Sequence, residues 1–389
     1  MKIDDLRNRI NELDDSIAGE YAERIKLVQA IGELKRSERI DILDVERENQ
    51  IIDRLCAGRD KKTADHLREL YSSIFETSRK IQAEYKTMTV YDELEKIVGS
   101  ELPAFPKKMK TACQGAKGAF SYFAANKLFK DPDVAFYNTF EEVFRAVNNG
   151  DVEVGILPIE NSTAGSVNEI YDLMRKYKLY IVKSAQIKVE HSLIAAKGAK
   201  LKDIKEVYSN EQAIAQCSGF LKANGLKGVF SENTATSVIY VKETGRTDIA
   251  AIASKACAQI YGMEVLKTNI QNSDDNYTRF ICVSKKLAVY TGASKVSIMV
   301  SLPHTNGSLL NFLKKFASYN LTKLESRPVP DTEFRYMFYF DFEVNLKTTG
   351  LLSLLKDLGN SAYDITFIGY YGETGDVRTG KDDYSDILD

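Results

Sequence analysis

The loop Pro158–Ser166 combines a carboxylate, an amide, hydroxyls and a glycine within nine residues. It follows the apolar run 152–157, which predicts a buried strand, and it precedes a helical pattern over 167–177. Ser166 is placed to cap that helix, and the backbone N–H groups of a first helical turn attract anions. The loop therefore predicts a site for a small acidic molecule. A polar strand-to-helix turn without a ligand is the alternative.

A second group of polar residues lies in the first ninety residues, where the absence of proline and the 3-4 spacing of apolar residues predict an all-helical segment. Arg24 and Lys35 continue the apolar stripe of the first helix, and Arg47 lies near the start of the second. A buried cation without a partner costs several kcal/mol. Either Asp44 and Glu48 neutralise these cations in a structural network, or the cations line a cavity for a dianionic ligand.

Three further residues bear on that choice. Ser78 and Gln82 face the interior from the third predicted helix and can bond neutral oxygens of a ligand. Arg7 lies about 100° around the first helix from Arg24 and Lys35, so it is placed to serve the cavity of a partner subunit. The long apolar stripe of the first helix also favours a helical dimer.

These residues resemble, in type, order and spacing, the active-site set of the all-helical chorismate mutases: Arg7, Arg24, Lys35, Asp44, Arg47, Glu48, Ser78 and Gln82. The resemblance covers residues 1–88 and implies an intertwined dimer that rearranges chorismate to prephenate. It implies that Arg7 reaches across the dimer to a carboxylate and that Arg24 and Arg47 bind carboxylates. Lys35 and Gln82 would contact the ether oxygen, with Glu48 on the ring hydroxyl. Such a rearrangement needs a folded reactant and donors at the oxygen that gains charge.

Residues 89–108 are polar and contain Pro103 and Pro106, which predicts a linker. From residue 109 to 288, short apolar runs alternate with helical patterns, which predicts an α/β domain. The glycine turn 114–121 fits neither a P-loop nor a dinucleotide fingerprint, so we expect no nucleotide cofactor.

Polar clusters follow several predicted strands of this domain, and their motifs resemble those of the prephenate dehydratases: Gly115 and Gly118, Pro158–Asn161, Tyr208-Ser209 with Gln212, and Thr278-Arg279-Phe280. The resemblance implies two lobes, the second spanning about 190–260, around a cleft that holds prephenate. It implies that Thr278 donates to the departing hydroxyl, with the ligand positioned by Glu160, Asn161, Ser162, Ser209 and Gln216. Arg279 would bind a carboxylate or brace its strand. Asn210-Glu211 departs from the family, which usually has histidine-proline there.

The segment 294–373 has the order βαββαβ of a ferredoxin-like α+β domain and resembles an ACT domain. Two motifs match those with which such domains bind phenylalanine at a dimer interface: Asn306, Gly307, Ser308 and Leu309, then Glu325, Ser326, Arg327 and Pro328. A dimerisation module that has lost its ligand is the alternative. The charged tail 376–389 is expected to be disordered.

Composition excludes several other functions. A net charge of −2 gives no general attraction to nucleic acid or to an anionic membrane, and no run suggests a membrane span or secretory signal, so we expect a cytoplasmic protein. Five scattered cysteines and three histidines predict no metal site, and no cofactor is expected.

The resemblances together imply a multidomain homodimer or higher oligomer. It would convert chorismate to prephenate and prephenate to phenylpyruvate, with inhibition by L-phenylalanine. A non-catalytic amino-acid sensor, or a dehydratase that acts on arogenate, are the alternatives.

Overall fold

The structure is a computed structural model that describes residues 2–38, 40, 42, 44–302, 306–328, 336–344, 350–359, 362 and 364–375. The chain forms two compact units. One comprises residues 1–101 and 296–367, and the other comprises 102–295 and 368–389.

The first unit opens with three helices: α1 (Ile3–Glu38), α2 (Val45–Cys56) and α3 (Lys61–Val98). Asp44 and Asp60 cap α2 and α3 by accepting from backbone N–H groups three residues further on. α1 and α2 both pack on α3. Helix α3 includes residues 89–98 of the predicted linker, since neither glycine nor proline interrupts it before Gly99. None of the helices in the described ranges is long and apolar enough to span a membrane.

The N-terminal half of α1 exposes its apolar stripe. Ile3 and Ile17 are 63% and 64% exposed, and Leu6, Ile10 and Leu13 between them are also exposed. Val28, further along the same helix, is buried. The stripe is therefore open over the N-terminal half of α1, and Ile31, nearer the C-terminal end, is also 45% exposed.

The second unit has an α/β pattern. Its elements up to residue 284 are, in chain order, β1 (Lys110–Gln114), α4 (Phe120–Leu128), β2 (Asp133–Tyr137), α5 (Phe140–Asn149), β3 (Val154–Asn161), β4 (Gly165–Ser166), α6 (Asn168–Tyr177), β5 (Tyr180–Lys188), β6 (Ser192–Ala195), β7 (Glu206–Ser209), α7 (Glu211–Gln216), α8 (Ser218–Ala223), β8 (Lys227–Phe230), α9 (Thr234–Thr244), β9 (Ile249–Ala253), α10 (Lys255–Tyr261), β10 (Glu264–Lys267) and β11 (Tyr277–Ser284).

The C-terminal elements are β12 (Lys295–Ser301), α11 (Ser308–Lys314), β13 (Asn320–Pro328), β14 (Tyr336–Glu343), α12 (Leu351–Gly359), β15 (Asp364–Tyr371) and β16 (Glu373–Thr374). Four of these strands form a sheet in the order β13-β14-β12-β15, with β13 at an edge. The predicted disordered tail 376–389 lies outside the described residues.

Two sheets organise the second unit. The larger has the order β16-β5-β11-β3-β1-β2, with β4 paired to β3, and the smaller has the order β10-β6-β9-β7-β8. The smaller sheet is built from residues 192–267, and the chain then returns to the larger sheet through β11. β11 lies antiparallel between β3 and β5, and its register sets Thr278 opposite Asn161 and Arg279 opposite Glu160. This pairing brings the two central motifs of the sequence together.

Candidate active sites

A cavity of about 500 Å³ in the second unit is lined by residues of both lobes. Its wall includes three of the predicted site residues, Thr278, Asn161 and Gln216. It also includes Gln114 of the glycine turn and Asn210, which caps a helix. The structure thus places three of the positions that the sequence predicted around one cavity. Its volume is in the range of small-molecule sites.

Helices start at several points of the cavity wall. The first residues of α4, the residues before α6 and the cap of α9 all line it. Within the described part of the chain, no side chain caps α4 or α6, and helix N-termini favour anions through their N–H groups and dipoles. Among the described residues, no lysine or arginine lines the cavity, and Glu232 is the only lining carboxylate. Attraction of an acidic ligand therefore depends on backbone dipoles.

Ser166 does not cap α6 as the sequence predicted. It pairs with Glu160 as part of β4, and Val167 occupies the cap position without a side-chain bond. The short strand keeps the chain extended for one residue longer than the sequence pattern suggested. Ser166 itself lines the cavity.

Asn161 and Thr278 form the central contact of the cavity. Nδ2 of Asn161 donates to Oγ1 of Thr278 over 2.9 Å. Oδ1 of the same amide accepts from the backbone N–H groups of Thr163 and Ala164 at 3.1 and 2.9 Å. Thr278 therefore accepts from a fixed donor and keeps its own hydroxyl hydrogen for a ligand.

Ser209 and Ser162 are two of the predicted residues that lie outside the cavity wall. Ser209 is buried and donates to the carbonyl of Ile252 over 2.8 Å, which braces β7 against β9. Ser162 donates to the carbonyl of Asp275 and accepts from the N–H of Tyr277, both at 2.9 Å. Both serines therefore stabilise the walls of the site and are not part of its lining.

Glu160 and Arg279 face each other across β3 and β11. Nε of Arg279 lies 2.6 Å from Oε1 of Glu160, and the arginine side chain is 6% exposed. Neither residue lines the cavity. Of the two roles that the sequence left open for Arg279, this geometry favours bracing the strand.

His191 lies in the cavity wall, although no motif in the sequence indicates a role for it. Its Nε2 is 3.0 Å from Oε1 of Gln216, and burial lowers the pKa of the imidazole. The only indication of a role in the sequence is that a lone histidine lies where the chain enters the second lobe. Its neighbour Gln216 is 25 residues away, so spacing could not reveal the contact.

In the helical site, Arg24 of α1 contacts α3, and Lys35 of α1 contacts the chain before α2. Nη1 of Arg24 donates to Oγ of Ser78 over 2.6 Å, and Nζ of Lys35 donates to the carbonyl of Ile42 over 2.8 Å. Ser78 and Gln82 are buried. Oε1 of Gln82 is buried without a hydrogen-bond partner among the described residues. These contacts fit a polar site that a ligand completes.

The remaining residues of the helical set have other neighbours. Glu48 pairs with Nη1 of Arg79, a buried arginine that lies 31 residues away and that no sequence motif indicates. Asp44 accepts from the N–H of Arg47 at 2.9 Å, and both of these residues are exposed. Glu48 of the predicted set is therefore paired with Arg79, a cation that was not predicted.

Arg7 is far from the other cations of its own chain. It is exposed and lies 3.6 Å from Asp4. Seventeen residues separate it from Arg24 on one continuous helix, which corresponds to roughly 25 Å along the axis. Arg7 therefore cannot reach the site that its own Arg24 lines.

The two predicted effector motifs lie on α11 and β13. Gly307 has φ +80° and is the cap residue of α11, and Asn306 before it is exposed. Ser308 and Leu309 form the first turn of α11. Glu325, Ser326, Arg327 and Pro328 form the end of the edge strand β13, paired with β14.

These features define a class of protein: a multidomain enzyme whose separate helical and two-lobed parts each carry a polar site suited to a small acid. The family model for chorismate mutase type II matches residues 6–83, and the family model for prephenate dehydratase matches residues 111–288.

Curated relatives and a solved structure agree with these matches. The bifunctional chorismate mutase/prephenate dehydratase of Buchnera aphidicola subsp. Schizaphis graminum is 30% identical over 94% of this chain and 95% of its own length. Arogenate dehydratase/prephenate dehydratase 1 of Arabidopsis thaliana is 36% identical over 68% of this chain and 72% of its own. The prephenate dehydratase of Arthrobacter aurescens in complex with L-Phe is 28% identical, with a TM-score of 0.62 over 68% of this chain and 89% of its own. The chain belongs to the family of bifunctional chorismate mutase/prephenate dehydratase enzymes.

Proposed function

We propose that this chain rearranges chorismate to prephenate in its helical part and converts prephenate to phenylpyruvate in the two-lobed part. The observation that carries the second activity is the Asn161–Thr278 contact, which leaves a hydroxyl donor in a cavity surrounded by helix N-termini. The family membership supports both activities.

The dehydratase step requires loss of carbon dioxide and of the ring hydroxyl together, and formation of the aromatic ring supplies much of the driving force. The leaving oxygen needs a hydrogen bond or a proton. Thr278 is a weak acid, so its contribution is a directed hydrogen bond in a partly closed cleft rather than full proton transfer in the ground state. The first turns of α4 and α6 supply N–H groups for the two carboxylates.

The mutase step needs neither nucleophile nor proton transfer. Arg24, held by Ser78, is placed to bind a carboxylate. Lys35 and Gln82 are the donors for the ether oxygen, which gains negative charge as its bond breaks. The Gln82 amide fits this role, because its buried oxygen has no partner among the described residues, and exchange of the amide oxygen and NH₂ positions would present a donor to a ligand. Glu48, restrained by Arg79, is placed for the ring hydroxyl.

A second copy of this chain completes the helical site. The exposed apolar stripe from Ile3 to Ile17 is the surface that the second copy covers. A partner's first helix along this stripe would bring the partner's equivalent of Arg7 to the site, which the chain's own Arg7 cannot reach. The active unit is therefore an intertwined dimer or a higher assembly of such dimers.

The C-terminal module acts as an ACT domain that binds L-phenylalanine and inhibits the dehydratase. Its four-stranded sheet has the strand order of the ferredoxin-like arrangement. Gly307, at positive φ before α11, leaves room for a ligand to approach the loop closely. The L-Phe complex of the Arthrobacter dehydratase supports phenylalanine as the effector.

Arogenate is the second candidate substrate for the two-lobed part. The Arabidopsis relative carries arogenate as well as prephenate dehydratase in its name. Arogenate has an amino group where prephenate has a ketone, and among the described residues no cation lines the cavity to repel it.

Product analysis after incubation with chorismate tests the proposal. We expect prephenate to appear first and phenylpyruvate to follow, with added L-phenylalanine suppressing the second product. Prephenate and arogenate supplied separately rank the two substrates of the cleft. Binding of phenylalanine without turnover of chorismate would identify the chain as a sensor instead.

A further inference from the structure

His191 is an almost completely buried residue whose ring reaches the cavity. It is 2% exposed and lines the cavity together with Thr278 and Gln216. Nδ1 of its ring is buried without a hydrogen-bond partner among the described residues. A buried polar atom of this kind costs free energy, so its retention points to a ligand that completes it.

The hydrogen bonds around Asn161 fix the tautomer of this histidine. Two backbone N–H groups point at one side-chain atom of Asn161, so that atom is the carbonyl oxygen and the other is the NH₂ group. The NH₂ group lies 2.7 Å from a side-chain atom of Asn276, which must therefore be an oxygen.

Two further hydrogen bonds connect Asn276 to the ring of His191 through Gln216. The NH₂ group of Asn276 then faces an atom of Gln216 at 3.0 Å, which must also be an oxygen. This oxygen lies 3.0 Å from Nε2 of His191, so Nε2 carries the hydrogen and Nδ1 carries a lone pair. The chain of amides thus ends in a donor hydroxyl on Thr278 and in an acceptor nitrogen on His191.

We propose that Nδ1 of His191 accepts the hydrogen of the ring hydroxyl that leaves the substrate, a substrate-binding role that rests on the proposed dehydratase function. Carboxylates and a ketone offer only acceptors to the protein, and the ring hydroxyl is the one donor that prephenate carries. With its hydrogen directed to His191, the hydroxyl turns a lone pair to Thr278. The leaving oxygen is then oriented from both ends of one amide chain.

The role requires the neutral imidazole. Burial lowers the pKa of His191, so the lone pair is present at neutral pH and is lost only on acidification below that lowered pKa. Glu232 is the one carboxylate among the described lining residues, and the other polar groups in the wall are amides and hydroxyls. The kcat of the dehydratase should therefore decrease at acidic pH, because His191 becomes protonated there.

NMR of the full-length protein with ¹⁵N-labelled histidine tests the tautomer without any substrate. Three histidines give signals, and His191→Asn identifies the one that belongs to His191. We expect protonated Nε2 and unprotonated Nδ1 at neutral pH. A hydrogen on Nδ1 would overturn the proposal.

Two matched variants test the contact with the substrate. His191→Asn keeps an acceptor near the position of Nδ1, whereas His191→Gln keeps a donor near Nε2 and offers nothing at Nδ1. We expect kcat for prephenate to fall by about 10- to 100-fold more in His191→Gln than in His191→Asn. The acid limb of the kcat profile should vanish in His191→Asn.

Equal losses in both variants, or an acid limb that survives in His191→Asn, would reduce His191 to a structural residue and reject the proposal. Wild-type protein that turns over neither prephenate nor arogenate would instead reject the proposed function, while the tautomer measurement still stands by itself. The two failures are therefore distinguishable.

Discussion

Arg279 and Glu160 form a lateral pair between β11 and β3, with Nε of the arginine 2.6 Å from the carboxylate oxygen of Glu160. The arginine is nearly buried, whereas the glutamate is one-third exposed. We expect Arg279→Met to destabilise β11 by about 1–3 kcal/mol, since the partly buried carboxylate loses its partner, and exposure of Glu160 limits the loss.

The stability of β11 can be measured through the thiol of Cys282, which is buried on this strand. The thiol is labelled at increasing urea concentrations, and the extent of labelling is measured by peptide mass spectrometry. Arg246→Met, which breaks an exposed pair with Asp248, is the control and should change it by less than about 1 kcal/mol. If Arg279→Met also stays within the range of the control, the pair has no bracing role.

Thr278 is expected to contribute through its hydroxyl alone. Thr278→Val removes the hydroxyl at nearly constant volume, and we expect dehydratase kcat to fall by about 100-fold or more. Thr278→Ser restores the donor and should remain within about tenfold of the wild type. Mutase activity, measured as loss of chorismate, should not change in either variant. Full activity in the valine variant would remove Thr278 from the mechanism.

Lys35 is expected to serve only the mutase step. Lys35→Ala should lower kcat/KM for chorismate by about 100- to 1,000-fold, because a donor to the developing oxyanion is lost. Dehydration of added prephenate should continue at the wild-type rate. Lys26→Ala removes an exposed lysine of the same helix that pairs only with Glu23 among the described residues, and it should leave both activities intact. Loss of both activities in Lys35→Ala would show that the sites are not separable.

Mixed subunits test the dimer. Arg7→Ala and Lys35→Ala should each abolish mutase activity alone, since every site then lacks one group. In heterodimers formed from the two variants, one of the two sites has both residues. About half of randomly mixed dimers are heterodimers, so roughly a quarter of the wild-type activity should return on co-refolding. Mixtures that stay inactive would place Arg7 outside the partner's site.

Gly307 is expected to be needed for the effector. Gly307→Ala adds a methyl group at φ +80° and should weaken L-phenylalanine binding by about tenfold in equilibrium dialysis. Gly245→Ala imposes a similar backbone strain at φ +62° after α9 and should not alter binding. Equal affinity in both variants would contradict an effector site at the start of α11.

Local patterns in the sequence predicted much of the fold. The continuous or alternating apolar runs at 206–209 and 336–343 predict strands with these bounds, and the structure has the strands Glu206–Ser209 and Tyr336–Glu343. The sequence does not predict the strand Glu264–Lys267, since four residues with charged ends give almost no pattern. Periodicity is informative only where an element is long enough to repeat.

The candidate sites were predictable where a motif carried them. Thr278 and Asn161 meet as their motifs suggested, because β3 and β11 pair. The roles of His191 and Arg79 depend on partners that only the folded chain brings near, Gln216 and Glu48. A single buried histidine or arginine within an otherwise ordinary run of sequence gives no sign of such a partner.

The cleft that surrounds Thr278 attracts acids with peptide dipoles, and no positively charged side chain among the described residues lines it. Salt screens interactions inside a partly closed cleft less than interactions at an exposed surface, so affinity for the substrate should depend only weakly on ionic strength. Replacement of the ketone of prephenate by the ammonium group of arogenate would also leave the attraction between the carboxylates and the peptide dipoles in place. Substrate preference in such a cleft can therefore shift through one or two neutral side chains, without rebuilding its charge.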